Sequence, residues 1–182
     1  MKEISDDYIL SLFRNEKTKE EAFNLLMQKF QREVYYAVRH IVHLHEDAND
    51  VTQNVFIKIW RYLDKFKGES SLKTWISKIC VNESLTFIEK KKKMLNLTDD
   101  TFPDYLMNVA SEDKFFSADK IQMLLEQAIM QLPPKQKIVF TMRYYDEMPY
   151  EEMSKILDTS ESALKASYHF AFKKVEEFLK QH

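Results

Sequence analysis

Turn-forming residues are scarce: one glycine and four prolines serve 182 residues. Sheet-rich folds need such residues at many corners, so the shortage argues against a sandwich or barrel and favours helices joined by short loops. Cysteine is equally scarce. Cys80 stands alone, which excludes an intrachain disulfide and any four-cysteine zinc site. Its neighbours Ile76, Ile79 and Leu85 make it read as a small buried hydrophobe, and a reducing compartment fits. No apolar run approaches the roughly 20 residues a membrane span requires. The opening MKEISDDYILSLFRN lacks the basic start and apolar stretch of a secretion signal. A cytoplasmic chain with no direct membrane insertion is expected. No phosphate loop, nucleophile elbow or paired catalytic carboxylate is recognisable, so neither an enzyme activity nor a cofactor is expected. His40, His43 and His45 lack a third well-spaced metal ligand and read as surface histidines near a helix C-terminus, where the dipole favours them.

Large apolar and helix-forming residues fill the chain instead. Hydrophobic residues make up 45% of it, enough for a real core. The formal net charge of -2 would by itself argue against nucleic acid. Its distribution argues otherwise. Residues 65–93 hold eight lysines against three acids, and residues 94–119 hold six acids against Lys114.

Helical periods recur along the chain. Asp6 and Asp7 open a short helix carrying Ile9, Leu10 and Phe13. A second spans about 19–43, with Phe23, Leu26, Met27, Phe30, Val34, Ala37, Val38 and Ile41 on one side. A third spans about 47–63, with Val51, Val55, Ile59 and Leu63 in steps of four. The break KFKGES holds the only glycine, and Ser70 or Ser71 can cap a fourth helix running to about residue 93. Residues 94–117 are acidic, contain Pro103 and show no sustained period. They read as a linker with at most a brief helical turn. Helices are expected again over about 118–131 and, with Pro134 in the first turn, to about 145.

The tail carries the sharpest pattern. PYEEMSKIL reads as a short helix, DTSES as a turn, and Ser160 as the cap of a longer helix to about residue 180: a helix-turn-helix outline. Met153, Ile156 and Leu157 are expected to meet Ala163 and Leu164, with Ala163 and Ala166 small enough for a close crossing. In such a motif the second helix enters the major groove N-terminus first, leaving Ser160, Glu161, Ser162, Lys165 and Tyr168 as candidate DNA contacts. An ordinary helical hairpin with a solvated outer face has the same pattern.

QLPPKQKIVFTMRYYDEMPYEEMSKIL, with the turn and helix after it, resembles the fourth conserved region of the extracytoplasmic-function (ECF) sigma factors, a group of the sigma-70 family. HEDANDVTQNVFIKIWRYLDKFKGESSLKTWISKICVNESLTFIEKKKK resembles their second region. The resemblance implies an all-α protein of two small helical domains joined by a flexible acidic linker. Region 2 would be residues 1–93, the linker 94–117 and region 4 residues 118–182. It also implies the partners: core RNA polymerase, through its beta-prime clamp helices and beta flap; promoter DNA at the minus-ten and minus-thirty-five elements; and a cognate anti-sigma factor. Polymerase contact would fall on Asp47, Asp50, Gln53, Asn54 and Phe56, although Phe56 and Trp60 also suit a core.

For the minus-ten element, the resemblance points to the loop KFKGESSLKTW, with Lys67 and Lys73 on phosphate, and to Asn82 and the run Lys90, Lys91, Lys92, Lys93 beyond it. Family members flip a base of the melted strand into this loop. The cost is a few kcal/mol, and stacking returns roughly 1–3 kcal/mol per base. Trp75, in helical phase with Ile79, reads as core rather than as that stacking ring. The linker would occupy the RNA path of polymerase; a plain tether has the same composition.

Two departures bear on base contacts. Thr86 and Glu89 stand where the family places an aspartate and arginines, and Asp158 and Ser167 where many members have glycine and arginine. Rival readings are a sigma-like decoy for an anti-sigma factor, a polymerase-independent helix-turn-helix regulator, and a helical enzyme without a motif.

Overall fold

Ser5 starts the first helix: its hydroxyl accepts from the Tyr8 amide at 3.3 Å, satisfying one of the donors that every helix start leaves open. In this computed structural model, which describes residues 4–110 and 120–182, nine α-helices and a single 3-10 turn follow in order, with no strand among those residues. Glu112 and Asp113 of the expected linker, and the expected start of the second domain at residue 118, lie outside the described residues.

Helices α1 (Asp6–Phe13), α2 (Lys19–Val42), α3 (His45–Tyr62) and α4 (Leu72–Met94) form the first bundle, each of the last three packing on the other two and α1 on α2. The stripe Leu26, Phe30, Val34, Val38 and Ile41 buries one side of α2, with Val51, Val55 and Ile59 of α3 against the same core. Each such side chain stabilises the fold by roughly 1.5–3 kcal/mol. Ser71 caps α4, its hydroxyl accepting from the Thr74 amide at 3.0 Å. Cys80 is buried, and burial pushes its thiol up to about 12, which makes it inert.

The expected linker holds a helix, α5 (Phe102–Ala110), longer than the brief turn anticipated. Phe102, Leu106 and Ala110, four apart, are all buried. Thr98 and Thr101 brace the turn that leads into it: each hydroxyl accepts from the other's amide, at 2.9 and 3.3 Å. The sequence TDDT carried that signal.

Helices α6 (Lys120–Met130), α7 (Pro134–Tyr144), α8 (Tyr150–Leu157) and α9 (Glu161–Gln181) form the second group, with α9 packing on the other three. Ala128, Ile129, Leu132, Phe140, Ala171 and Val175 make its own core. The two groups also touch. Helix α2 meets α7, α4 meets α8, and one apolar cluster runs from Leu26 and Val38 through Met142, Met148 and Ile156.

Of the histidines at the end of α2, expected at the surface, His43 is buried and His40 is partly buried. His43 is buried at the helix end with φ 69°, its amide donating to the Arg39 carbonyl at 2.9 Å. The His40 ring stacks on Tyr145 at 4.0 Å and 15°. Burial outweighs the dipole and pushes His40 down to about 4, with Arg39 adding to the effect, and holds His43 well below its usual value. His45 bonds the Tyr35 hydroxyl at 2.7 Å and the Asn49 side-chain amide at 3.1 Å.

Neutral burial of His40 predicts an acid sensitivity. Below pH 6.5 the unfolded chain takes up a proton that the folded chain refuses until about pH 4. Stability contributed by this ring is therefore full above pH 6.5 and falls by about 3 kcal/mol towards pH 4. Urea denaturation at pH 7 and pH 5 should show His40→Phe losing clearly less stability than the wild type over that interval. An equal loss would contradict the assignment.

Candidate polymerase and promoter interface

Helix α3 presents a polar face away from its buried stripe. Asp50, Gln53 and Asn54 are exposed there, with Lys58 and Arg61 further along. Ile57, 48% exposed, lies one turn beyond Gln53 on the same face. A large apolar side chain inside a polar face suits a protein interface. The sequence holds that signal, because a Val51–Val55–Ile59 stripe leaves Ile57 on the outer side, although the family resemblance does not point to it.

Two expected polymerase contacts are placed differently. Phe56 is buried, edge-on to Phe23 at 6.3 Å, because it flanks Val55 on the core side. Asp47 is ion-paired with Lys91 of α4, and only 13% of either side chain is exposed. Trp60 is partly exposed, with Phe13 and Phe23 against it at 5.6 and 5.0 Å.

The loop between the 3-10 turn (Leu63–Lys65) and α4 is built for close approach. Gly68 adopts φ +74°, a conformation that costs other residues. No atom lies within 4 Å of where its side chain would start, so backbone angle rather than space selects glycine. Lys67 is exposed, and Lys73 is exposed beside Glu33 at 3.1 Å. Trp75 is half-buried and tilts against Phe66 at 5.6 Å, so both ends of the loop carry a ring.

Farther along α4, Asn82 is exposed. The lysine run divides by helical phase. Four consecutive residues rotate 100° apiece and cannot all face solvent. Lys90 and Lys93 are exposed, whereas Lys92 is buried against Asp99 at 2.6 Å and Glu89, and Lys91 turns to Asp47. The expected DNA contacts Lys91 and Lys92 are thus occupied within the fold.

In the tail, Asp158 ends α8 in the left-handed conformation at φ 49°. Aspartate tolerates that geometry, which accounts for its standing in for glycine. The Ser160 hydroxyl caps α9, accepting from the Ala163 amide at 3.4 Å. Ser160, Glu161, Ser162 and Lys165 are exposed at its first turns. Tyr168 is half-buried, stacked on Phe140 at 5.7 Å, so only part of it is accessible. The inner contact is Leu164, with Met153 and Ile156. Ala163 and Ala166 face outwards instead, and Ala171 supplies the small buried residue.

Comparison with known proteins bears on both halves. Residues 26–94 match sigma-70 region 2, and residues 122–175 match sigma-70, region 4. The chain belongs to the sigma-70 family, as an ECF sigma factor. The RNA polymerase sigma-H factor of Pseudomonas aeruginosa is 27% identical over 152 residues, 79% of each chain. The ECF RNA polymerase sigma-E factor of Escherichia coli K12 is 28% identical over 153 residues, 80% of each. Among solved structures, the fold is similar to that of the sigma factor RpoE in complex with the anti-sigma factor NepR from Bartonella quintana. The TM-score is 0.67 at 18% identity, covering 87% of this chain and 96% of that one. It is also similar to CnrH in complex with the cytosolic domain of CnrY, with TM-score 0.63 at 20% identity, covering 89% and 90%.

In this sigma factor the polar face of α3 and the loop before α4 both lie in the region 2 match, and the turn and the part of α9 up to residue 175 in the region 4 match. The Lys91–Asp47 pair ties α3 to the end of α4. Burial pushes the Asp47 carboxyl up, and Lys91 opposes that shift. Removing the lysine strands a half-buried carboxylate. Lys91→Met should therefore cost roughly 1–3 kcal/mol in urea denaturation, and exposed Lys90→Met less than about 0.5 kcal/mol. Equal costs would remove the structural role given to Lys91.

Proposed function

We propose that this chain binds core RNA polymerase and directs promoter-specific initiation, and that it catalyses no reaction itself. The observation that carries this reading is that regions 2 and 4 are both matched, in order, in one short chain. Residues 1–93 would form the unit for core polymerase and the minus-ten element, and residues 118–182 the unit for the minus-thirty-five element. Asp50, Gln53 and Asn54, joined by Ile57, form the polymerase face. Lys67, Lys73, Asn82 and Lys90 meet the melted element, with Phe66 and Trp75 as the available rings. Ser160, Glu161, Ser162 and Lys165 read the upstream element. An anti-sigma factor is the expected restraint, since one structural neighbour was solved in complex with an anti-sigma factor. The net charge of -2 is compatible with DNA binding, because polymerase supplies most of the attachment and the exposed lysines add a salt-dependent part.

Replacing Asp50, Gln53 and Asn54 together with Ala should weaken binding to bacterial core polymerase about tenfold or more, a loss of at least roughly 1.4 kcal/mol. Helicity by circular dichroism should stay unchanged, because all three side chains are exposed. Undiminished binding would take this face out of the interface.

A further inference from the structure

We infer that the small cavity between the end of α4, the approach to α5 and the start of α7 is a binding site for one monovalent anion of about the size of chloride, with Lys137 as its principal ligand. The site stands apart from the α3 face and from the first turns of α9, and it does not depend on the proposed function.

Three positive features meet at this cavity, and only one of them is neutralised. Lys137 lines it together with Lys92, Asp99 and Pro134. Lys137 is 7% exposed, and among the described residues no side chain or carbonyl accepts from its ammonium. A buried, unpaired charge is costly, so such groups are found paired, coordinated or neutral. Lys92 is the neutralised feature: its ammonium lies on Asp99 at 2.6 Å and on Glu89 at 2.5 Å. The third feature is the start of α7. Pro134 takes its first position, no side chain caps it, and the amides of Lys135 and Gln136 have no acceptor within the helix. Such amides carry a partial positive charge and favour an anion.

The surrounding groups register this excess of positive charge. Burial, with the Lys92 ammonium adding to it, pushes the Lys137 amine down to about 8. Burial also holds His43 well below its usual value, and Lys137 and then Arg39 push it further the same way. The two carboxylates at hand, Asp99 and Glu89, are turned to Lys92. An anion beside Lys137 offsets the repulsion between the two lysines and gives the start of α7 an acceptor.

Size and lining select the ligand. The cavity measures about 30 Å³. One water needs about 10–15 Å³ of such space, so a single particle somewhat larger than water fits. Chloride and bromide meet that limit; sulfate, phosphate and the amino-acid carboxylates exceed it. Ile41, Ile88, Phe102, Leu132 and Ile138 form apolar walls. Such walls cannot replace the hydration of a multiply charged oxyanion, whereas a halide needs only the ammonium and the helix start. Water is the competing occupant, and it would leave Lys137 either uncompensated or neutral.

The linewidth of the chloride NMR resonance reads binding to the full chain directly, and urea denaturation at constant ionic strength reads its consequence. Wild type should broaden the chloride line. Bromide should reverse the broadening, and sulfate at equal ionic strength should not. Lys137→Met keeps the bulk and removes the charge, so it should abolish the broadening; Lys90→Met, at an exposed position of the same charge, should leave it unchanged. With a Kd of about 10 mM, chloride at about 200 mM raises the folding equilibrium constant about twentyfold. The ratio of folding constants in sodium chloride and in sodium glutamate should therefore be about twentyfold higher for wild type than for Lys137→Met. Wild type alone is decisive if Lys137→Met fails to fold: no broadening, or broadening that sulfate reverses as well as bromide does, overturns the inference. Broadening that survives Lys137→Met, or that Lys90→Met removes equally, overturns it too. Equal ratios for the two proteins do the same and leave Lys137 as an amine beside water.

Discussion

The buried stripe of α2 is the constraint on which the rest depends. Leu26, Phe30, Val34, Val38 and Ile41 organise α1, α3 and α4 around one long helix, and α7 also packs against it. Leu26 and Val38 are completely buried, so truncating either opens a cavity at the centre of the bundle. Large-to-small changes at such sites cost roughly 2–5 kcal/mol. The same helix sets two functional geometries. Its α3 neighbour, anchored by Val51, Val55 and Ile59, must turn Asp50, Gln53, Asn54 and Ile57 outwards. Its far end places His40 against Tyr145 and so registers one half of the protein against the other.

Charge is distributed by the same logic. A lysine run at the end of α4 looks in sequence like one basic patch. Helical phase separates it into two outward residues and two that hold the fold together, Lys91 on Asp47 and Lys92 on Asp99 and Glu89. Each of these pairs takes a lysine away from the outward basic face, while Glu89 and Asp99 themselves stay mostly exposed. The lysines left exposed as candidate nucleic-acid contacts are a narrower set: Lys67 in the glycine loop, Lys73 at the start of α4, and Lys90 and Lys93 at its end.

Most of the fold was legible in the sequence because nearly all the helices carry a strong period of their own. Val51–Val55–Ile59 and Pro134 at a helix start are local signals, and the structure follows them to within a residue or two. Helix α5 was obscured by Pro103 and by acidic neighbours, although Phe102, Leu106 and Ala110 kept the spacing of four. The histidines were misjudged for a different reason. Nothing near His40 and His43 in sequence announces that α7 packs on α2, and burial there overrides the helix dipole. Phe56 and Lys92 were likewise settled by phase against a neighbouring helix, a quantity the linear pattern only suggests. The candidate contacts on α9 were easier, since Ser160 caps the helix and the exposed first turn follows from the cap.

As a sigma factor, this chain gives core RNA polymerase a choice of start site. Transcription by purified bacterial core polymerase on a genomic fragment library, with and without the chain, tests that most directly. Adding the chain should produce a discrete set of new start sites that share one upstream and one downstream element. Start sites identical with and without the chain, despite stable binding to polymerase, would contradict it and leave a protein that resembles a sigma factor without acting as one.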